Sequence, residues 1–487
     1  MILIDLDSPV MNFDFRLKFF FIDRRISINI RWVRYAIVLA VVLISISAAY
    51  WGSRTILIVL VGAVVGIAGF LALLRYPNLG FILLFLGGMF VPFAGPGGFN
   101  ASILTVILMI GLWFLDMFVV KRRFAFVASA PIRPAFYLLI VCVIAFAMGQ
   151  IPWFVFANQA PIDAQIGGFA IYFFLVLAMI MTANVLKEIR WLKVIVWAFI
   201  GLGFIYVLGR TLHLDIIDRI YAHGVYANSM FWMWLVAMPL SQAIYNNHLN
   251  LKARVVLYGI VALTFYVAMV QQSDWKSGWV PAAVVAAALV GWKFRQVIPF
   301  TIPFVLMVVA YLAQDLISTD QYSWGTRVDA WLVVLDISRV SPIIGLGFSN
   351  YYWYAKVFSI RGYSIKFNSH SQFVDIVAQT GVLGLICFMW ILFEIGRLAY
   401  RLMSQLPEGF AKAYAHGIFA GVLGSLMAAF LVDWLLPFAY NIGLDGVRAS
   451  ILPWIFFGGL ISIEQIYLVQ QKTDPVSLRE RRFRPAN

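Results

Sequence analysis

The feature that most constrains this chain is a recurrence of long apolar runs. A helix needs about 17–25 mainly apolar residues to cross a bilayer. Runs of that kind lie at 33–51, 55–74, 78–94, 101–120, 134–152, 167–186, 191–209, 229–246, 254–271, 278–293, 297–315, 372–396, 413–434 and 450–470. In lipid every backbone N–H and C=O must be satisfied within the protein, so runs this long and this apolar fold as helices. The expectation is an all-α polytopic membrane protein with about fourteen spans. Only 12% of the 487 residues are charged, against about a quarter in soluble domains, which excludes an ordinary soluble fold.

The net charge is +14. A nucleic-acid partner would account for such an excess, but the basic residues sit in short loops between apolar runs, where they report orientation. Part of the excess also suits anionic lipid or phosphate. The leader carries Arg16, Lys18, Arg24, Arg25, Arg31 and Arg34. Alternate loops continue the pattern with Lys121, Arg122, Arg123 and Arg133, then Lys187, Arg190 and Lys193, then Lys252 and Arg254, then Lys293 and Arg295, then Arg397, Arg401 and Lys412. The tail ends it with Lys472, Arg479, Arg481, Arg482 and Arg484. Both termini are therefore expected in the cytoplasm, and no cleavable signal is expected at the start. The order expected is a cytoplasmic or interfacial leader over 1–32, a transmembrane bundle over 33–315, a long outer loop over 316–371, further spans over 372–470 and a basic cytoplasmic tail over 471–487. Residues 12–34 resemble an interfacial helix.

Outer loops are poor in Lys and Arg, with Arg210, Arg219, Lys276 and several basic residues within 316–371 as exceptions; a long loop such as 316–371 crosses regardless of charge. In the long outer loop, Val328, Trp331, Leu332, Leu335 and Val340 recur at helical spacing, predicting a surface helix. Pro342, Gly345 and Gly347 punctuate a turn. Tyr351, Tyr352, Trp353 and Tyr354 form an aromatic patch that either stacks on sugars or belongs to the interfacial belt. The two cysteines, Cys142 and Cys387, lie in apolar runs and read as small core hydrophobes.

Ionisable groups are sparse within the spans, Asp116, Asp375 and Glu464 among them, whereas a proton-coupled pump would carry them in the membrane interior. Polar and charged groups gather instead at the outer mouth: Arg210, His213, Asp215, Asp218, Arg219, His223, Asn228, Asp274, Lys276, Arg327, Asp329, Arg339, Lys356, Arg361, Lys366, Asn368, His370, Asp433, Asp445 and Arg448. His370 starts a helix and is the best candidate general base, its ordinary pKa lying near 6.5. Its bland alternative is a histidine satisfied at the interface. Lys276 and Arg327 are natural phosphate ligands, or else snorkelling charges. No HxxxH, HExxH or CxxC pattern marks a metal. The first outer loop, WGSR at 51–54, lacks the carboxylate that metal-dependent lipid-phosphate glycosyltransferases use there.

Two stretches, GTRVDAWLVVLDISRVSPIIGLGFSNYYW and NSHSQFVDIVAQTGVLGL, together resemble the O-antigen ligase and polymerase superfamily of bacterial envelopes. The pattern is an Arg before a Trp, then Pro and G-x-G, then a His followed after ten residues by a Gly and G-x-x-G-L. Here it falls on Arg327, Trp331, Pro342, Gly345, Gly347, His370, Gly381, Gly384 and Leu385. HGVYANSMFW is similar to the family's Gly-aromatic-Asn element entering a helix, with Gly224, Tyr226 and Asn228. Where relatives carry Ser-Arg-Gly, this chain has Lys276, Ser277 and Gly278.

The resemblance implies a fold akin to the GT-C-type membrane glycosyltransferases and a metal-independent, inverting transfer needing no cofactor. The donor would be an undecaprenyl-diphosphate-linked glycan, used on the periplasmic side of the inner membrane. His370 would be catalytic, Lys276 and Arg327 would hold the diphosphate, and Arg210 and Arg219 would be weaker ligands. The acceptor would be lipid A-core, a second lipid-linked repeat or a protein hydroxyl, with the span count leaning towards a polymerase. A lipid-linked oligosaccharide flippase is the alternative, and basic residues inside the spans would favour it.

Overall fold

A computed structural model describes residues 10–13, 66–67, 69–92, 98–221, 228–273, 275–294, 296, 299 and 321–469, with side chains described from 325 in the last stretch. The expected span at 33–51, all of 297–315 but residue 299, most of 55–74, the tail, His223, Gly224, Tyr226 and Asp274 lie outside the described residues. The remaining spans are all helical. They are α1 (Leu79–Phe90), α2 (Ala101–Leu115), α3 (Ile132–Met148), α4 (Ile162–Val185), α5 (Ile189–Thr211), the short α6 (Asp215–Ile220), α7 (Ser229–Tyr245), α8 (Leu251–Phe265) and α9 (Lys276–Lys293). The outer segment carries α10 (Gln321–Ile337) and α11 (Asn350–Tyr354), followed by α12 (Gln372–Gln405), α13 (Phe410–Leu431) and α14 (Val447–Glu464).

Among the described residues seven helices are long and apolar enough to cross a membrane: α2, α4, α5, α8, α12, α13 and α14, three of them with their end turns. Helices α1 and α3 are shorter apolar helices. The fold is not wholly α. Val10–Phe13 pairs antiparallel with Phe124–Val127, Val10 opposite Val127 and Phe13 opposite Phe124. Residues 12 and 13, expected to open an interfacial helix, are strand instead. They follow Val10 and Met11 in pairing with 124–127, and a ladder satisfies peptide groups as well as a helix does.

Helix α7 is buried along its whole length and α14 from Val447 to Ile463. A helix that is apolar all round belongs at the centre of a bundle, and the others surround this pair. Polar caps tie the bundle together. Asn228 accepts the Met230 amide at 2.9 Å as N-cap of α7 and donates to Ser450 Oγ at 3.0 Å on α14. Asn100 caps α2 through Ile103 and donates to the Leu444 carbonyl at 2.6 Å. Both asparagines satisfy an orphan helix-end amide and a second element at once.

The loops sort into two ends, as the charge pattern requires. At one end Arg401 pairs with Glu464, Ser129 donates to Glu464 at 2.6 Å, and Asn247 donates to Glu408 at 2.9 Å. At the other, Asn350 donates to the Gly149 carbonyl at 2.9 Å and Gln271 to the Arg210 carbonyl at 3.1 Å. Every described loop expected to be basic and inner meets at the first end.

The surface helix is present as α10, but a different stripe faces the protein. Leu332, Leu335 and Val340 are 62%, 40% and 46% exposed, while Ala330, Val334 and Ile337 are buried. Both stripes have helical spacing, so periodicity identified the helix and not the face that docks. The aromatic patch is also divided. Tyr351 and Tyr354 are fully buried in a small second core with Val334, Ile337 and Phe438. Tyr352 stacks on Tyr440 at 4.5 Å.

Candidate functional site

The Pro-Gly-Gly segment explains itself at the break in α12. Gly381 has φ +70 and ψ −175, so the helix is interrupted there. An interruption frees carbonyls before it and amides after it. The turn at 342–347 takes them up: Leu346 N–H donates to Ala378 O at 2.8 Å and Gly347 N–H to Gln379 O at 3.1 Å. In return Val382 N–H donates to Pro342 O at 2.9 Å and Leu383 N–H to Ile343 O at 3.2 Å. Gly345 and Gly347 have φ +83 and +84. A Cβ on Gly345 would lie 2.5 Å from the Gln379 carbonyl carbon, one on Gly347 would strike Gly149, and one on Gly381 would strike the Ile343 carbonyl. The glycines are therefore needed both for backbone conformation and for close approach.

This clasp holds the loop that carries His370. Trp331 on α10 donates its indole N–H to the Ser369 carbonyl at 2.7 Å. His370 adopts φ +50, uncommon for a residue with a side chain. Its amide donates to Asn368 Oδ1 at 3.1 Å, an Asx-type bond that supports the turn. The ring remains 43% exposed, with Nδ1 4.0 Å from Oδ1 of Asp433. Burial holds the His370 pKa below its ordinary value, the nearby Arg327 charge lowers it further, and Asp433 opposes both. The neutral, proton-accepting imidazole is thus favoured.

Asp433 follows the C-terminus of α13 and is fully buried. Each of its oxygens accepts an amide: Asn368 Nδ2 at 3.0 Å and Asn441 Nδ2 at 2.7 Å. Arg327, half-buried on α10, donates to the Leu431 carbonyl at 3.2 Å, two residues before Asp433. Lys276, half-buried, opens α9, and the preceding Trp275 packs on Trp434 with ring centroids 5.1 Å apart. Residues 431–434 are thus the hub where α9, α10, the His370 loop and α13 meet.

The weaker candidates sit apart from this hub. Arg210, at the end of α5, donates to Asp218 of α6 at 2.8 Å, so its charge is already compensated locally. Arg219 is exposed on α6. Gly384 keeps space for Thr380, one turn back on α12. Arg448, a buried cation at the start of α14, donates to the Gly88 and Val91 carbonyls at 3.1 and 2.7 Å and closes the end of α1. Among the described residues no three His, Cys, Asp or Glu side chains gather as metal ligands would.

Sequence reasoning placed Asp433 and Asn368 at the outer mouth without joining them to His370, and it passed over Asn441. The usable signal was an aspartate at the end of the otherwise apolar run 413–434, since ionisable groups at such positions mark function.

Residues 248–389 match the family model described as O-antigen ligase. That stretch is similar to an O-antigen ligase domain. That domain begins in the loop before α8 and ends eight residues past the break in α12, so it includes Lys276, Arg327, the glycine clasp and His370. Asp433 and Asn441 lie beyond its end and reach the O-antigen ligase residues only through the fold. No curated protein matches the chain.

Proposed function

We propose that this chain transfers a glycan from undecaprenyl diphosphate to an acceptor hydroxyl at the periplasmic face of the bacterial inner membrane. The observation that carries this reading is the meeting of His370, Asp433 and Arg327 at one end of the bundle, inside or against an O-antigen ligase domain. Both termini lie in the cytoplasm on this reading, because the basic loops share the opposite end.

The acceptor hydroxyl gives its proton to His370. Its oxygen attacks the anomeric carbon as the bond from that carbon to the diphosphate oxygen breaks, and the diphosphate leaves with the electron pair. Attack opposite the leaving group inverts the anomeric centre. Arg327 and Lys276 hold the diphosphate and offset the charge that grows on it. Asp433 stabilises the imidazolium as it forms and releases it when the proton departs. Arg210 and Arg219 stand apart from the hub and are the weaker diphosphate ligands.

The lipid-linked glycan pool in a deletion strain tests the reading. Loss of a polymerase leaves single repeats on the outer-face carrier, and loss of a ligase leaves polymer on it. Repeats trapped on the inner face would show a flippase instead and overturn the proposal.

A further inference from the structure

Two carboxylates are buried behind His370, and their surroundings differ in kind. Asp433 is met by two amide N–H groups, one on each oxygen. Such groups can only donate, which suits an anion. Asp375, in the first turn of α12, is also fully buried. Its Oδ1 is met by two hydroxyls, those of Tyr351 and Ser369, the latter at 2.7 Å. Its Oδ2 has no hydrogen-bond partner.

The protons can be counted. Each hydroxyl has one to give. Tyr351 also contacts Asn368 Oδ1 at 3.0 Å, and Ser369 also contacts the Ser371 carbonyl at 3.0 Å. Four oxygen–oxygen contacts therefore share two protons. With an ionised Asp375, two of the four would set lone pair against lone pair at a buried carboxylate, while Oδ2 would be an anionic oxygen that no protein group meets. Tyr351 does not escape by losing its proton, because burial first and the neighbouring carboxylates second push its phenol well above the usual range. A proton on Asp375 Oδ1 cuts the deficit from two contacts to one. Asp375 then donates to Tyr351, Tyr351 to Asn368 and Ser369 to Asp375, and the Ser371 carbonyl left over already accepts the Asp375 N–H at 2.9 Å.

We infer that Asp375 is a neutral carboxylic acid, the first donor in a relay Asp375–Tyr351–Asn368–Asp433 that leaves Asp433 as the single buried anion under His370. Every link donates towards Asp433. The relay also orients the Asn368 amide, whose oxygen receives Tyr351 and the His370 N–H while its nitrogen serves Asp433. Asp375 is thus a positioning residue. It steadies the loop without adding a second negative charge near a diphosphate. The other titratable group facing this turn is Tyr172 of α4, whose hydroxyl receives the Gln372 and Gln379 amides at 3.4 and 3.3 Å.

Infrared difference spectroscopy of the purified full chain in lipid nanodiscs at neutral pH tests this without turnover. Native protein minus Asp375→Asn should show loss of a carboxylic-acid C=O band. Native minus Asp433→Asn should show loss of carboxylate bands. Carboxylate loss in the Asp375→Asn difference, or no acid band in it, would overturn the inference and leave the glycosyl-transfer reading untouched. The kinetic arm rests on that reading. Asp375→Ala should lower turnover about tenfold, the rate equivalent of one net hydrogen bond, and Asp375→Asn, which keeps a neutral donor, should restore most of it. An Asn variant as impaired as the Ala variant would also count against it. Should Asp375→Ala fail to reach the membrane, the spectroscopic arm still decides.

Discussion

His370 Nδ1 stands 4.0 Å from Asp433 Oδ1, a separation that couples their charges but exceeds a hydrogen bond. Catalytic hydrogen bonds are often long before substrate binds and tighten in the complex. On the proposed chemistry the two residues act as a unit. His370→Ala should cost about 10²–10⁴-fold in transfer, the usual contribution of a general base. Asp433→Asn keeps the shape and removes the charge, and should cost at least about tenfold. The double variant should be no worse than His370→Ala alone, because a unit lost once is not lost again. Fully additive losses in transfer assays at matched expression would separate the two residues.

The pH profile follows from the direction of the His370 shift. Its pKa is lowered, by burial first. The base form therefore persists below the ordinary histidine value of about 6.5. The acidic limb of kcat/KM should lie below that value and move upward in Arg327→Gln, which removes a cation that favours the neutral ring. The same shift makes the unfolded state the stronger proton binder. His370 should therefore lower stability as pH falls through the unfolded pKa towards the folded one. An acidic limb above the ordinary value would contradict the assignment.

Removing Arg327 should cost about 2–4 kcal/mol of transition-state stabilisation, as for one oxyanion donor. Lys276→Arg should keep substantial activity and Lys276→Gln should lose it, because a diphosphate needs charge at that position. Equal turnover of Lys276→Gln and native protein at saturating donor would remove Lys276 from the phosphate site.

Gly381→Ala should destabilise the protein by at least about 1–2 kcal/mol, the cost of the left-handed region for a residue with a Cβ, with the strike on the Ile343 carbonyl added. The variant should melt at lower temperature in nanodiscs. Gly111→Ala, with open space around the Cβ, is the control and should melt at the native temperature.

Labelling checks the sides. Cys142 and Cys387 are buried, so background should be low. An impermeant thiol reagent should modify Lys356→Cys in intact cells and Lys121→Cys only after permeabilisation. Inner-side labelling of position 356 would displace the site from the face where the donor's glycan lies.

The apolar runs by themselves determined the helices, because lipid leaves the backbone no other way to satisfy its peptide groups. Charge alternation determined which loops share an end, and the loops among the described residues gather at the same two ends. The His370 motif was legible too, since its glycines are demanded by local backbone geometry and therefore leave a mark in the sequence.

Partnership between distant residues was decided only in three dimensions. Asp433 lies 63 positions after His370, and nothing local ties them. Their meeting depends on α13 ending where the α12 loop begins. The stripe of α10 that docks, and the burial of Tyr351 and Tyr354, were likewise settled by what packs against them. Helical spacing is the same for an inward and an outward stripe, and an aromatic cluster suits a core as well as a surface. The strand at Val10–Phe13 has the same origin, because a β-ladder needs a partner, and its partner lies more than a hundred residues away at Phe124–Val127.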